Sequence, residues 1–352
     1  MGPRQQKNIA RRFAGLHVRG DAKTRNAPGD VGRWSPSRTR FPELASSNLQ
    51  FHVFRITSAA QTPSVFNEEM TRTDWADRQQ ITWDDLTFDV WTKGASDAEP
   101  IVLLHGFPES AAMWQPVATA LVDAGYQIIA PDQRGYSPGA RPQGAEAYAT
   151  LSLVGDVTRL LDALELDSAH IVGHDWGAAV AWSLAAWHPE RVRSLTAVSV
   201  PHLAAYNWSL REDADQRERA SYIGLFRKPG KAETLLLADG ARRLRAMFGD
   251  TLPPETVDAH VQGLRNPEAL TAALNWYRAM TDELGELAAV TVPTTYVWST
   301  ADTALGRAGA ERCGEFVDAP YEFVVLDGIS HWIPEQAPRQ LTAAILDRVR
   351  IK

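Results

Sequence analysis

The sequence predicts an α/β protein whose mostly parallel central sheet is interrupted late by a helical insertion. Three observations predict this. Short apolar runs alternate with segments of helical spacing from Gln79 to Val200, the βαβ pattern of a parallel sheet. From about Pro201 to Ala288 only helix-like segments follow, rich in polar and aromatic residues. Alternation then resumes at "VTVPTTYVWS" and runs to the end of the chain. The expected organisation is a leader over 1–69, an α/β core over 70–200 and 289–352, and a helical cap over 201–288. A late helical insertion is most simply placed over the carboxyl ends of the strands, where such sheets bind ligands.

Residues 1–69 hold about eleven Lys/Arg against five Asp/Glu, although the whole 352-residue chain carries a formal charge of −7. This basic leader is rich in Arg, Ser, Pro and Gln and has no sustained apolar period, so it is expected to be mostly disordered. Arg11-Arg12 lacks the apolar stretch that an export signal needs after it. The Arg bias fits an organellar transit peptide, but a working start at Met70 rather than Met1 is the preferred reading.

The first strand pair lies in "QQITWDDLTFDVWTKG", where Ile81, Trp83, Leu86, Phe88 and Val90 alternate with polar neighbours around a short acidic turn. "EPIVLLHGF" is a continuous apolar run, suited to a strand buried on both faces. A helix over Met113–Ala124 and the strand "YQIIAPD" come next. Val154, Val157, Leu160, Leu161 and Leu164 then have helical spacing before the strand "AHIVGHD". The helix beginning at Ala178 is poor in bulk, so its backbone can approach its neighbours closely. "SLTAVSV" closes the first half. After the insertion come a helix around Gly306–Val317, the strand "YEFVVLDG" and a final helix over Arg339–Arg350.

Composition excludes several functions. A net charge of −7 suggests no nucleic-acid footprint, so no nucleic-acid partner is expected, and no stretch approaches 18 apolar residues, so no membrane span is expected. The single cysteine, Cys313, rules out an intrachain disulfide and fits a reducing compartment. A cytoplasmic location follows as the expectation, with Cys313 read as a plain helix residue. The reading leaves room for a homodimer.

"VGHDWGAAVAW" carries the chemistry. Gly173-His174-Asp175-Trp176-Gly177 has the frame of a strand-to-helix nucleophile turn, with aspartate where serine usually stands. Taken alone, this fits an N-cap aspartate equally well. Two further residues change the balance. Asp302 in "WSTADTAL" lies just past the next-to-last strand, and His331 in "GISHWIPEQ" just past the last. Nucleophile, acid and base thus run in the order Asp175, Asp302, His331, each at a strand's carboxyl end. "LLHGFPES" follows the first parallel strand, so the backbone N–H groups of Phe107 and Trp176 are the candidate oxyanion hole. His105, His174 and His202 are read as structural. Glu109 is expected at most to order its loop or a water, and Asp132–Pro142 reads as a structural loop beside the site.

Together "HGFPES", "GHDWG", "NWYR" and the "SHW" loop resemble the soluble-type epoxide hydrolase branch of the α/β-hydrolase superfamily, over about Gln79 to Ile351. The resemblance implies hydrolysis of a small-molecule epoxide by water to a vicinal diol, with neither metal nor organic cofactor. It also implies two cap tyrosines that hold and protonate the ring oxygen. Tyr277 in "AALNWYRAM" matches one; Tyr222 in "SYIGLFRKPGKAE" is the candidate for the other, with Tyr206 as a competitor. The chemistry suits aspartate, because a carboxylate can displace at an sp³ carbon and form an ester whose acyl half belongs to the enzyme.

A haloalkane or haloacid dehalogenase would use the same nucleophile. Many haloalkane dehalogenases, however, carry Asn where this chain has Phe107, and place their acid in the segment that here reads "SVPHLAAYN", without Asp or Glu. Fluoroacetate dehalogenases typically follow the nucleophile with Arg rather than Trp176. A non-catalytic ligand receptor on the same fold should have lost part of this constellation, and none is missing.

Overall fold

Nine strands form one sheet in the computed structural model, which describes residues 53–56, 75–281 and 285–350. In chain order they are β1 (Val53–Ile56), β2 (Asp77–Trp83), β3 (Leu86–Lys93), β4 (Glu99–Leu104), β5 (Tyr126–Pro131), β6 (Ala169–His174), β7 (Val192–Val198), β8 (Thr294–Ser299) and β9 (Tyr321–Leu326). Their order across the sheet is β1-β9-β8-β7-β6-β4-β5-β3-β2. Neighbours pair in parallel except β2 with β3 and β3 with β5. The turn of the β2–β3 hairpin is Asp84-Asp85, with φ of 47° and 65°, the left-handed pair that a two-residue hairpin turn demands.

Val53–Ile56 falls in the stretch read as mostly disordered, and it is a strand in parallel register with β9, from Val53 opposite Phe323 to Ile56 opposite Leu326. Four residues are too few to establish a period, and an edge strand draws its register from main-chain pairing. The rest of that stretch, and the alternative start at Met70 just after it, lie outside the described residues.

Helices cover both faces of the sheet. On one side α1 (Gln115–Asp123) and α12 (Pro338–Arg350) enclose a core that includes Ile101, Leu103, Trp114, Val172 and Ile345. On the other, α2 (Thr150–Ala163) and α3 (Trp176–Trp187) pack over Val102, Leu104, Ile171, Trp182 and Tyr296. Strands buried on both faces read as unbroken apolar runs, and β6 is buried at every residue. Between β7 and β8 the described residues form the helices α4 (Leu203–Glu212), α5 (Ala214–Arg219), α6 (Ile223–Phe226), α7 (Lys231–Ala246), α8 (Pro254–Leu264) and α9 (Pro267–Arg278). They bury a separate cluster that reaches Phe107 and Trp332 near the strand ends. α10 (Arg307–Arg312) and α11 (Ile333–Gln336) complete the described helices. Cys313 is buried in a short 3₁₀ turn, where burial pushes its thiol up to about 12. No helix of the described residues is long and apolar enough to cross a membrane.

From β4 the chain runs to β5 on one side and then to β6 on the other. The carboxyl ends of β4 and β6 therefore meet at a switch point, the crevice such sheets use for ligands. Glycine closes that crevice. A Cβ on Gly177 would lie 2.1 Å from the carbonyl oxygen of Leu104, and one on Gly173 2.2 Å from that of Gly177. Because both obstacles are backbone, Gly177→Ala should destabilise the protein by about 1–3 kcal/mol or more. Gly263→Ala, in α8 with nothing near its Cβ position, should be neutral or gain up to about 1 kcal/mol. Denaturant unfolding of the two variants checks this, and equal midpoints would contradict it.

Candidate active site

The turn from β6 into α3 gives Asp175 a φ of 52° and ψ of −119°. A non-glycine residue at positive φ costs about 1–3 kcal/mol and persists only where its surroundings enforce it. Here the enforcement is the packing of Gly173, Gly177 and Gly106; a Cβ on Gly106 would sit 2.4 Å from that of Asp175. Although Asp175 stands at the N-cap position of α3, its side chain makes no capping hydrogen bond. Its carboxylate points elsewhere. Oδ1 accepts the Phe107 N–H at 2.9 Å, and Oδ2 lies 3.6 Å from His331 Nε2. Trp176 follows as the first residue of α3, and its amide is one that helix geometry leaves without an intrahelical acceptor.

His331 Nδ1 donates to Asp302 Oδ2 at 2.9 Å. The other carboxylate oxygen, Oδ1, accepts the N–H groups of Ala304 at 2.7 Å and Leu305 at 3.0 Å. All three residues of the set are buried. Burial alone would lower His331, but the charge of Asp302, then its bonds to Asp175 and Asp302, raise it to about 10. Burial would raise Asp175, yet the His331 bond and charge, His174 and the Phe107 N–H hold it below its ordinary value. The resting site is thus an imidazolium between two carboxylates.

Two cavities, of about 480 and 300 Å³, share Asp175, Tyr222 and Tyr277 in their walls. Trp176 and Tyr206 line the larger one; Phe107, His331 and Trp332 line the smaller. Tyr277 on α9 sets its ring edge-on against Phe107 at 5.5 Å and Trp176 at 5.1 Å. Tyr222 lies in the 3₁₀ turn Ala220–Tyr222, with its ring 6.3 Å from that of Tyr277. Burial is the first cause that pushes both phenols well above the ordinary range, followed by Tyr206 and Asp175 for Tyr222 and by Tyr222 and Asp175 for Tyr277. Both therefore keep their protons at neutral pH. Tyr206 is raised too, by burial first and then by Asp175.

The other polar residues singled out have structural partners. His105 Nε2 accepts the Gln133 N–H at 3.0 Å, and its ring meets Tyr136 edge-on. His202 caps α4 by accepting from the Ala204 N–H. His174 Nε2 donates to the His331 carbonyl at 2.9 Å, while its Nδ1 is 3.1 Å from Glu109 Oε2. Burial, then the charge of His331, lowers His174 to about 4; burial and Glu335 raise Glu109 far above the carboxylate range. In the Asp132–Pro142 loop, Arg134 pairs with Asp156, and its carbonyl accepts from Trp276 on α9. Sequence reasoning did not single out Gln216 and Arg219, which reach the Asp302 loop from α5. Neither sits in a motif, and only the folded contact reveals them.

Residues 99–338 match the family described as alpha/beta hydrolase fold. Epoxide hydrolase A of Mycobacterium tuberculosis is 34% identical over 293 residues, covering 72% of this chain and 91% of that protein. The chain belongs to the alpha/beta hydrolase fold family, on its epoxide hydrolase branch. The AB hydrolase superfamily protein YfhM of Bacillus subtilis is also 34% identical, over 77% of this chain and 97% of its own. Among solved structures, epoxide hydrolase A from Mycobacterium thermoresistibile superposes with a TM-score of 0.70 at 32% identity, covering 78% of this chain and 98% of that one.

The raised His331 value makes a prediction with a definite sign. Its proton is held more tightly in the folded chain than at the ordinary 6.5 of the unfolded one. The resulting stability is whole below about pH 6.5 and is lost as pH climbs through about 10. Thermal unfolding should therefore show a midpoint that falls between roughly pH 7 and 10, and His331→Gln should flatten that fall. An unchanged slope in the variant would contradict the imidazolium state.

Proposed function

We propose that this protein is an epoxide hydrolase that opens a small-molecule epoxide with water to a vicinal diol through an ester on Asp175. One observation carries the reading: the Asp175 carboxylate, held by the Phe107 N–H and His331, shares both cavities with two protonated tyrosines, Tyr222 and Tyr277. Asp175 attacks a ring carbon, the C–O bond breaks, and the electron pair stays on the oxygen, which Tyr222 and Tyr277 hold and protonate. The imidazolium of His331 gives up its proton, which replaces the one lost by the tyrosines. As a neutral imidazole, His331 then takes a proton from the water that attacks the Cγ of the ester. The tetrahedral oxyanion is stabilised by the Phe107 and Trp176 N–H groups. Its collapse releases the diol oxygen and restores the carboxylate. Net, one water is consumed and both of its hydrogens end in the diol.

The electrostatics support that order of events. Alkylation turns Asp175 into a neutral ester and removes one of the two charges that keep His331 protonated. The imidazole then falls toward the range in which it can act as a base. Between the candidates for the second tyrosine, the reading takes Tyr222, which lines both cavities with Asp175 and Tyr277, over Tyr206, which lines only the larger. The helices over 201–288 serve as the cap and residues 70–200 and 289–352 as the core, now with β1 added. A cytoplasmic location, with Cys313 buried and reduced, belongs to the same proposal.

An alkyl halide needs no proton for its leaving group, so the tyrosines separate this reading from a dehalogenase. Assayed in parallel, an aryl epoxide should give diol and a haloalkane should give no halide. Tyr277→Phe should slow epoxide turnover by about 10²-fold or more. Asp302→Asn should slow breakdown of the alkyl-enzyme more than its formation, since only breakdown uses His331 as a base. Turnover of the haloalkane alone would replace the proposal with dehalogenation.

A further inference from the structure

The loop that carries Asp302 is gripped from within and from without. Inside it, the Ala304 and Leu305 N–H groups hold Oδ1 of Asp302, so the direction of Oδ2, the oxygen facing His331, follows the conformation of the loop. Outside it, three further peptide groups are satisfied by side chains of α5. Gln216 Nε2 donates to the Ala304 carbonyl at 2.9 Å, and Gln216 Oε1 accepts the Gly306 N–H at 2.8 Å. Arg219 Nη1 donates to the carbonyl of Asp302 itself, and Arg219 Nε is anchored on Asp215 Oδ2 at 2.6 Å. Gln216 is 1% exposed, so its amide matches two peptide groups away from water, where an unmade bond is costly. The fit is close: a Cβ on Gly306 would lie 3.1 Å from Asp215 Oδ2 and 3.4 Å from Gln216 Oε1.

The place of α5 in the chain gives this contact a consequence. Ala214–Arg219 runs directly into the 3₁₀ turn Ala220–Tyr222. Arg219 on the acid loop and Tyr222 on the cavity wall are three residues apart, about one turn of one continuous helical segment. We propose that Gln216 and Arg219 are positioning residues that fix Asp302, and through it His331, so that the segment presenting Tyr222 to the substrate oxygen also sets the orientation of the hydrolytic base. This rests on the reading of Asp302 and His331 as acid and base for ester hydrolysis. It goes beyond it by making the inserted helices a part of the second chemical step as well as the first.

A docking contact without this role would weaken both steps together or neither; a positioning role weakens the second. The test is rapid mixing of an aryl epoxide with enzyme, resolving alkyl-enzyme formation from its hydrolysis, in Gln216→Ala, Arg219→Ala, Arg219→Lys and Gln216→Glu. Gln216→Glu keeps size and acceptor but, when ionised, loses the donor to Ala304. Arg219→Lys keeps a donor for the Asp302 carbonyl. In Gln216→Ala, Gln216→Glu and Arg219→Ala, hydrolysis should fall by about 10-fold, as expected when a reacting group is misplaced by a fraction of an ångström. Formation should change by less than about 3-fold. In Gln216→Ala, which alters no charge, the pH profile of hydrolysis should move to lower pH, because a loosened Asp302 holds the His331 proton less firmly. Arg219→Lys should recover most of the loss. If formation and hydrolysis fall equally, or if neither moves, the positioning role is refuted. Should an alanine variant fail to fold, the two conservative variants still decide it, through the rate of hydrolysis against that of formation. If the unaltered enzyme accumulates no Asp175 ester, the failure lies with the proposed mechanism and not with this inference.

Discussion

The turn at Asp175 is the constraint on which the site depends. A left-handed residue at the end of β6 is tolerable only because Gly106, Gly173 and Gly177 leave no side chain where β4, β6 and α3 converge. That convergence brings the Phe107 N–H to Oδ1 and lets Oδ2 face His331. The same conformation takes the carboxylate out of its default task. An aspartate at a helix N-cap normally accepts from the first turn, whereas this one gives its oxygens to the site. The strain of the turn is thus bound up with the reactivity of the group it presents.

Charge completes what the backbone begins. Two carboxylates around one imidazole hold its proton up to about 10, and the buried tyrosines, pushed the same way by burial and by Asp175, remain donors. In the proposed mechanism this proton distribution suits ring opening, and the loss of the Asp175 charge on alkylation would suit the imidazole to hydrolysis. His174, lowered to about 4, stays neutral beside this cluster and steadies the His331 backbone without competing for its proton.

Much of this was legible in the sequence. Apolar runs such as "EPIVLL" and "AHIVGH" announced buried parallel strands because both faces of the sheet are covered, and β4 and β6 are those runs. Asp175, Asp302 and His331 could be ordered because each follows a strand, and a sheet brings the ends of its strands together wherever they lie in the chain. What the sequence could not yield depends on contacts without a pattern. Val53–Ile56 is too short to show a period. Gln216 and Arg219 belong to an unremarkable polar helix, and their partners are peptide groups, which carry no residue identity to read. The cavity walls on which the proposal prefers Tyr222 to Tyr206 have no counterpart in any sequence pattern.

The central claim is that Asp175 forms a covalent ester cleaved at its own acyl carbon. A single turnover in ¹⁸O water, with enzyme in excess over an aryl epoxide, tests it most directly. The diol should leave carrying only unlabelled oxygen, and mass spectrometry should find one ¹⁸O in the peptide containing Asp175. Label in the first diol formed, with none in Asp175, would mean that water attacks the epoxide directly and would contradict the account.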